Sequence, residues 1–307
     1  MHTPGRGIYR YDGLGCEPVM PVQDSGSAQS NLPGNYWCNR WKQQRLARLA
    51  VPRNDSPDSF WNNRKRLSDH FIKNLDSWRK EAEERIAVMG IRDGSRVLDI
   101  GAGTGSLAVP LAAHGCDVVA VEPAEAMREA LVIYEKQQQV RPITVVSKRW
   151  EDVVPEDLGE PFDVVFASYS LMITDIAPAI EKMQAACKGQ VHLFWFLTQP
   201  YTALLNTALW PKVHGVEFPG EPTADCLWQV LYEMGIYANL SVEASCEPAY
   251  FPSIDDATSD FCKRLDCTTP EQERAVREYC ETFLAKTERG YRVAGEALGA
   301  HLWWDVR

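Results

Sequence analysis

Val97-Leu98-Asp99-Ile100-Gly101-Ala102-Gly103-Thr104-Gly105 places an acid two positions ahead of a run with glycine at every second residue. The apolar start reads as a short buried strand. Gly101, Gly103 and Gly105 allow positive φ in a tight turn and let a ligand come close to the backbone. Residues 106–114 follow as a helix closed by Gly115, so N–H groups of a helix N-terminus face whatever the turn holds. A second apolar strand, residues 117–121, ends on Glu122, placed to accept hydrogen bonds from both hydroxyls of a ribose. The chemistry such a group of residues offers is the holding of a nucleotide-like ligand.

A dinucleotide fingerprint needs a third glycine where its helix packs closely on its strand. Ser106 stands at that place, and the glycines run 101, 103, 105 instead. The resulting D-x-G-x-G-x-G pattern with a downstream acid resembles motif I of the class I S-adenosylmethionine-dependent methyltransferases. The resemblance implies that the loop wraps the methionine moiety of S-adenosyl-L-methionine, that Asp99 orders the loop and the amino group, and that Glu122 holds the ribose. The cofactor site it implies takes in Asp99, Gly101, Ala102, Gly103, Thr104, Gly105, Glu122, Pro123, Met127, Trp150, Glu151 and Ser168. The adenine contact stays open between an acid, Glu151 or Asp152, and stacking on Trp150.

The elements around the motif support an α/β class. From Arg96 onward apolar strands alternate with helical stretches, the pattern of a parallel sheet covered on both faces. Strands are expected at residues 143–146, 162–168, 190–197 and 239–244, with residues 301–306 as the last. The family resemblance implies a Rossmann-like, seven-stranded, mostly parallel sheet of order 3-2-1-4-5-7-6, its last strand antiparallel between the fifth and sixth. Three parts are expected: a flexible segment 1–35, a helical extension or lid over 36–92, and the methyltransferase domain over 93–307 with an insertion at 198–237. In the extension, Trp37 and Trp41 lie one helical turn apart. Ser56-Pro57 fits a helix start, and Gly90 a helix stop. Thr269-Pro270-Glu271-Gln272 fits a capping box opening a helix toward Thr287.

Methyl transfer from a sulfonium is an in-line displacement, in which the protein aligns donor and acceptor and excludes water. A base is required only when the acceptor is not already nucleophilic. Tyr169 and Ser170 follow a central strand and so face the crevice where open α/β sheets bind ligands. Candidate bases are Tyr169, Asp175, His214 and Glu217, each with a structural role as its alternative. Trp61, Tyr169 and Trp210 are expected in the acceptor pocket, with Arg40, Arg45 or Arg64 available for an acceptor's carboxylate or phosphate. Tryptophans 37, 41, 61, 78, 210 and 228 all lie in the two additions, the extension and the insertion.

Composition narrows the remaining classes. The net charge of −10 divides as −1 over residues 1–35, +6 over 36–92 and −15 over the rest. That acidic body argues against a surface that tracks nucleic-acid phosphates. No apolar run reaches membrane-spanning length and no charged-then-apolar leader opens the chain, so no membrane partner and a cytoplasmic location are expected. Nine scattered cysteines without a C-x-x-C, and six histidines without metal spacing, suit a reducing compartment and no metal. The expected acceptor is a small molecule, with a protein side chain as the alternative. A nicotinamide oxidoreductase and a cofactor-binding sensor without turnover are the rival classes.

Overall fold

The computed structural model describes residues 34–51, 71–72, 75–245, 250–293 and 297–306. Short apolar runs become strands here because each is covered on both faces, and β-branched residues fit a pleated, buried surface. β1 (Arg96–Ile100), β2 (Asp117–Val121), β3 (Thr144–Val146), β4 (Phe162–Ser168) and β5 (Cys187–Phe196) run parallel. β6 (Asn239–Ser245) and β10 (Ala297–Asp305) complete a seven-stranded sheet of order β3-β2-β1-β4-β5-β10-β6. β10 is antiparallel to both β5 and β6, pairing His301 with Phe194 on one side and Ser241 on the other. The order and the inserted last strand are those the family resemblance implies, with the strand starting four residues earlier, at Ala297.

Two apolar layers cover the sheet. On one face α1 (Tyr36–Leu49), α5 (Ile176–Ala186) and α7 (Ala224–Glu233) bury Trp41, Ile180, Met183, Leu227 and Leu231 against Leu98, Val165, Leu193 and Trp195. On the other, α2 (Leu75–Met89), α3 (Ala108–Ala113) and α4 (Glu125–Gln138) bury Ile86, Leu111 and Leu131 against Val97, Phe166 and Phe194. The full burial of a large apolar side chain contributes about 1.5–3 kcal/mol, so Trp41 anchors α1 firmly; its Nε1 also donates to the Ile173 carbonyl at 2.8 Å.

Where the structure departs from the sequence reading, packing decides. Residues 198–237 divide in two rather than acting as one insertion. α7 covers the sheet, whereas α6 (Tyr201–His214) buries Leu205, Leu209 and Trp210 in a separate cluster with Phe251, Phe261 and Val276. That cluster belongs to a satellite layer of α8 (Ile254–Arg264), α9 (Pro270–Phe283) and a three-stranded sheet, β7 (Tyr250–Phe251), β9 (Gly290–Val293) and β8 (Leu284–Thr287). The Thr269–Gln272 capping box is formed, but α9 stops at Phe283 instead of reaching Thr287. Leu284 to Thr287 pairs instead with Gly290 to Val293 across a tight turn. Gly290 there has φ 114°, and a Cβ on it would lie 2.4 Å from the Phe251 carbonyl oxygen. The sequence gives no alternation long enough to announce strands of four residues. The expected helix start at Ser56-Pro57, the segment 1–33 and Trp61 lie outside the described residues.

Among the described residues no helix is long and apolar enough to cross a membrane, and no group of three His, Cys, Asp or Glu side chains is placed to hold a metal. All seven cysteines among them are free.

Candidate functional site

β1 and β2 end side by side, and the loop after β1 is tied to the end of β2. The Gly101 and Ala102 N–H groups both donate to the Val121 carbonyl, at 2.8 and 3.1 Å. Gly101, Gly103 and Gly105 have φ of 74°, 56° and 80°, the left-handed region that side chains disfavour. The three differ in what a side chain would meet. A Cβ on Gly101 would lie 2.4 Å from Ser170 Cβ, and one on Gly105 2.8 Å from Leu131 Cγ. A Cβ on Gly103 meets nothing within 4 Å. Its bare face looks into open space, on the side where a ligand can approach.

Glu122 closes this loop. Its Oε2 accepts from the Gly103 N–H and its Oε1 from the Ala124 N–H, both at 2.8 Å. Each carboxylate oxygen keeps a second lone pair for a ligand hydroxyl. Asp99 is buried behind the loop, and its carboxyl is held well above the ordinary range, first by desolvation and then by the charge of Glu122. Burial also raises Glu122, against the lowering effect of its two backbone donors and of Arg128. Two neighbouring carboxyls that resist ionisation form a site that a cation stabilises.

The remaining residues of the expected cofactor site take several positions. Ala102, Met127 and Trp150 are buried, Thr104 and Ser168 half-buried, Pro123 and Glu151 exposed. Trp150 does not provide a stacking platform. Its indole lies in the core, its Nε1 donates to the Ala179 carbonyl at 3.0 Å, and the Lys182 ammonium sits 5.3 Å from the ring centre. A stacking face must be open, and this one is filled by the protein.

Just past β4 the chain turns sharply at Tyr169, whose φ of 54° is unusual for a bulky residue. Strain of this kind gathers at ligand sites and costs about 1–3 kcal/mol. The Tyr169 ring lies against Phe196, 4.7 Å between centres, with the Arg85 guanidinium 5.1 Å from its own centre. Its hydroxyl reaches across β10 and donates to Glu243 Oε1 at 3.1 Å. Gly299 makes room for it, since a Cβ there would stand 2.2 Å from the phenol oxygen. Next to it, Ser170 Oγ donates to the Ile100 carbonyl at 2.5 Å and so joins the ends of β4 and β1. Glu243 escapes a sequence reading because it is a single acid in an edge strand, on the polar positions that alternate with Leu240, Val242 and Ala244.

The other candidate bases are placed elsewhere. Asp175 is exposed at the start of α5 and paired with Lys42 at 2.6 Å. His214 Nε2 is 2.8 Å from the Leu265 carbonyl, and its ring packs on Trp210 in the satellite layer. Trp210 is itself buried there against Phe218, so it forms no wall of the crevice. Glu217 is exposed in the loop after α6.

Above β4 and β5, α1 is fastened to the chain that follows them. Arg45 Nη2 donates to the Met172 carbonyl at 2.8 Å, and Nη1 is paired with Glu221. Trp195 Nε1 donates to the Pro222 carbonyl at 2.7 Å. These bonds tie α1 and the Glu221–Pro222 segment to the chain at the carboxyl ends of β4 and β5, the end at which ligands of open α/β sheets bind.

The family model described as a methyltransferase domain matches residues 69–216 of this chain. An uncharacterized protein of Haemophilus influenzae is 29% identical over 227 residues, 73% of this chain and 81% of that protein. The ubiquinone biosynthesis O-methyltransferase of Acinetobacter baylyi is 30% identical over 103 residues, 33% of this chain and 43% of its own length. Magnesium protoporphyrin IX methyltransferase from Synechocystis, solved with bound S-adenosylhomocysteine, superposes with a TM-score of 0.41 at 15% identity, covering 88% of this chain and 96% of that one.

Proposed function

We propose that this chain, which matches the methyltransferase-domain family model over residues 69–216, transfers the methyl group of S-adenosylmethionine to a small-molecule acceptor. The observation that supports the acceptor class is the bonding of three segments over the carboxyl ends of β4 and β5. α1, the chain after β4 and the Glu221–Pro222 loop are bonded together over β4 and β5. A protein substrate needs an open groove for its backbone, whereas a site bridged over by bonded elements suits a small molecule.

The donor fits the residues present. Gly103 leaves its backbone open to a ligand, Glu122 keeps lone pairs for two ribose hydroxyls, and the Asp99–Glu122 pair favours a cationic neighbour. S-adenosylmethionine, when bound, supplies an electrophilic methyl on a cationic sulfur. The protein's own part is to hold the loop, to exclude water and to align an acceptor above Tyr169 and Phe196. A proton leaving the acceptor has a route through the Tyr169 hydroxyl to the Glu243 carboxylate.

The test is transfer of labelled methyl from S-adenosylmethionine into a metabolite extract mixed with the whole protein, followed by ultrafiltration. Label is expected in the small-molecule filtrate. Label held only by added protein substrates would replace this reading with side-chain methylation. Donor binding with no transfer into either fraction would leave a sensor without turnover.

A further inference from the structure

Eight buried side-chain polar atoms among the described residues lack a partner, and five of them belong to Gln44, Arg45, Arg48 and Gln199. Such atoms are rare in folded proteins, and several in one place call for an occupant. Those of Arg45, Arg48 and Gln199 lie around Glu221. Arg45 pairs with its carboxylate, Arg48 Nε lies 3.1 Å from its Oε1, and Gln199 Nε2 donates to its backbone carbonyl at 2.7 Å. The Arg48 contact is coulombic only, because its Nε–H is not aimed at the carboxylate and counts among the partnerless donors together with Nη1. The Arg48 guanidinium rests on the Phe218 face, 4.1 Å from its centre, which keeps it in place while its edge stays unsatisfied.

Charge and hydrogen bonding together define what is missing. Two guanidinium groups face one carboxylate, so among the described residues the cluster carries one uncompensated positive charge. Lys42, on the same helix, is already matched by Asp175 and adds no net charge. Arg45 is 4% exposed, and burying an unpaired charge is costly unless an anion meets it. Water alone could satisfy the N–H groups but would leave that charge in place. Three partnerless donors, Arg45 Nε and Arg48 Nε and Nη1, suit the two oxygens of a planar carboxylate. A partnerless acceptor, Gln199 Oε1, asks for a donor beside it.

The position gives the ligand its role. Arg45 binds the carbonyl of Met172, four residues past β4, and Gln199 lies three residues past β5. Resting on the methyltransferase reading above, we propose that Arg45, Arg48 and Gln199 form a subsite for the carboxylate of the acceptor, with a hydroxyl or amino donor next to it. A monoanion balances the charge, whereas a phosphate dianion exceeds it by one.

Calorimetry on the whole protein, saturated with S-adenosylhomocysteine at pH 7, tests this with three probes: salicylate, the neutral isostere salicylamide, and inorganic phosphate. Salicylate is expected to bind at least tenfold more tightly than salicylamide. Arg48→Met is expected to erase that ratio, and Arg48→Lys to retain part of it, with S-adenosylhomocysteine affinity within about twofold of wild type throughout. Equal affinity for salicylate and salicylamide, no detectable salicylate binding, or an unchanged ratio in Arg48→Met overturns the proposal. Phosphate binding more tightly than salicylate overturns the carboxylate assignment. In each of these cases intact binding of S-adenosylhomocysteine leaves the methyltransferase reading standing; failure of the wild-type protein to bind it removes both.

Discussion

Replacing Gly103 and Gly105 separately by alanine distinguishes a ligand-facing glycine from a packing glycine. Both have positive φ, 56° and 80°, so each alanine pays the left-handed backbone cost of about 1–2 kcal/mol. At Gly103 the new methyl meets nothing within 4 Å, so that cost is the whole effect on stability. At Gly105 the methyl stands 2.8 Å from Leu131 Cγ and 3.2 Å from Val109 Cγ2, adding an overpacking cost of about 1–3 kcal/mol. Urea denaturation without ligand is therefore expected to rank Gly105→Ala as the less stable variant, by about 1–3 kcal/mol. Affinity for S-adenosylhomocysteine, measured by calorimetry on folded protein, is expected to rank them the other way. A methyl on Gly103 occupies the space through which the ligand reaches the backbone, and a loss of tenfold or more, about 1.4 kcal/mol, follows. Donor affinity in Gly103→Ala within twofold of wild type, at unchanged fold, would refute the placement of the ligand over this loop.

Glu122→Ala removes an acceptor from the Gly103 and Ala124 N–H groups as well as from the ligand. Donor affinity is expected to fall roughly ten- to hundred-fold, with a stability loss of about 1–3 kcal/mol for each N–H left unpaired; titration calorimetry and denaturation read the two separately. The buried histidines give a pH dependence. His192 Nδ1 and His301 Nε2 are 2.9 Å apart, and burial lowers the pKa of His192 to about 3 and of His301 to about 4. The unfolded chain takes up protons at both near pH 6.5 while the folded one does not, so stability falls with pH from about 6.5 down to those values. The slope approaches about 1.4 kcal/mol per pH unit for each ring. His301→Phe, which can still stack on Phe194, is expected to flatten the decline between pH 7 and pH 5; an identical slope in variant and wild type would count against the neutral pair.

What the sequence could reveal depended on the range of the interaction. The strands and their alternation with helices were legible because Val97-Leu98, Val118–Val121 and Val164–Ala167 are apolar and spaced to leave room for a helix between them, while their order was what the family resemblance implied. The glycine pattern was legible because positive φ leaves a mark on residue type. The Tyr169–Glu243 bond joins residues 74 apart, and the Arg45–Glu221 pair joins residues 176 apart, so no local pattern announces either. Trp150 shows the opposite error. An aromatic near the expected adenine position invites a stacking role, but its N–H finds Ala179 and its ring fills the core. Leu284 to Thr287 reads as more of α9 because four residues are too few to show a strand's period against a preceding helix. Trp210 looks like a pocket wall in sequence and is instead the centre of the satellite layer, a distinction set by packing partners as distant as Phe251.

The central claim, that the loop between Asp99 and Gly105 together with Glu122 holds a methionine-bearing nucleoside and not a dinucleotide, is tested most directly by paired calorimetric titrations of the wild-type protein with S-adenosylhomocysteine and with NAD. Ser106, where a dinucleotide site needs its third glycine, is the residue that separates the two ligands. The account predicts saturable one-site binding of S-adenosylhomocysteine and no measurable heat of binding for NAD. Saturable binding of NAD with none for S-adenosylhomocysteine would contradict it.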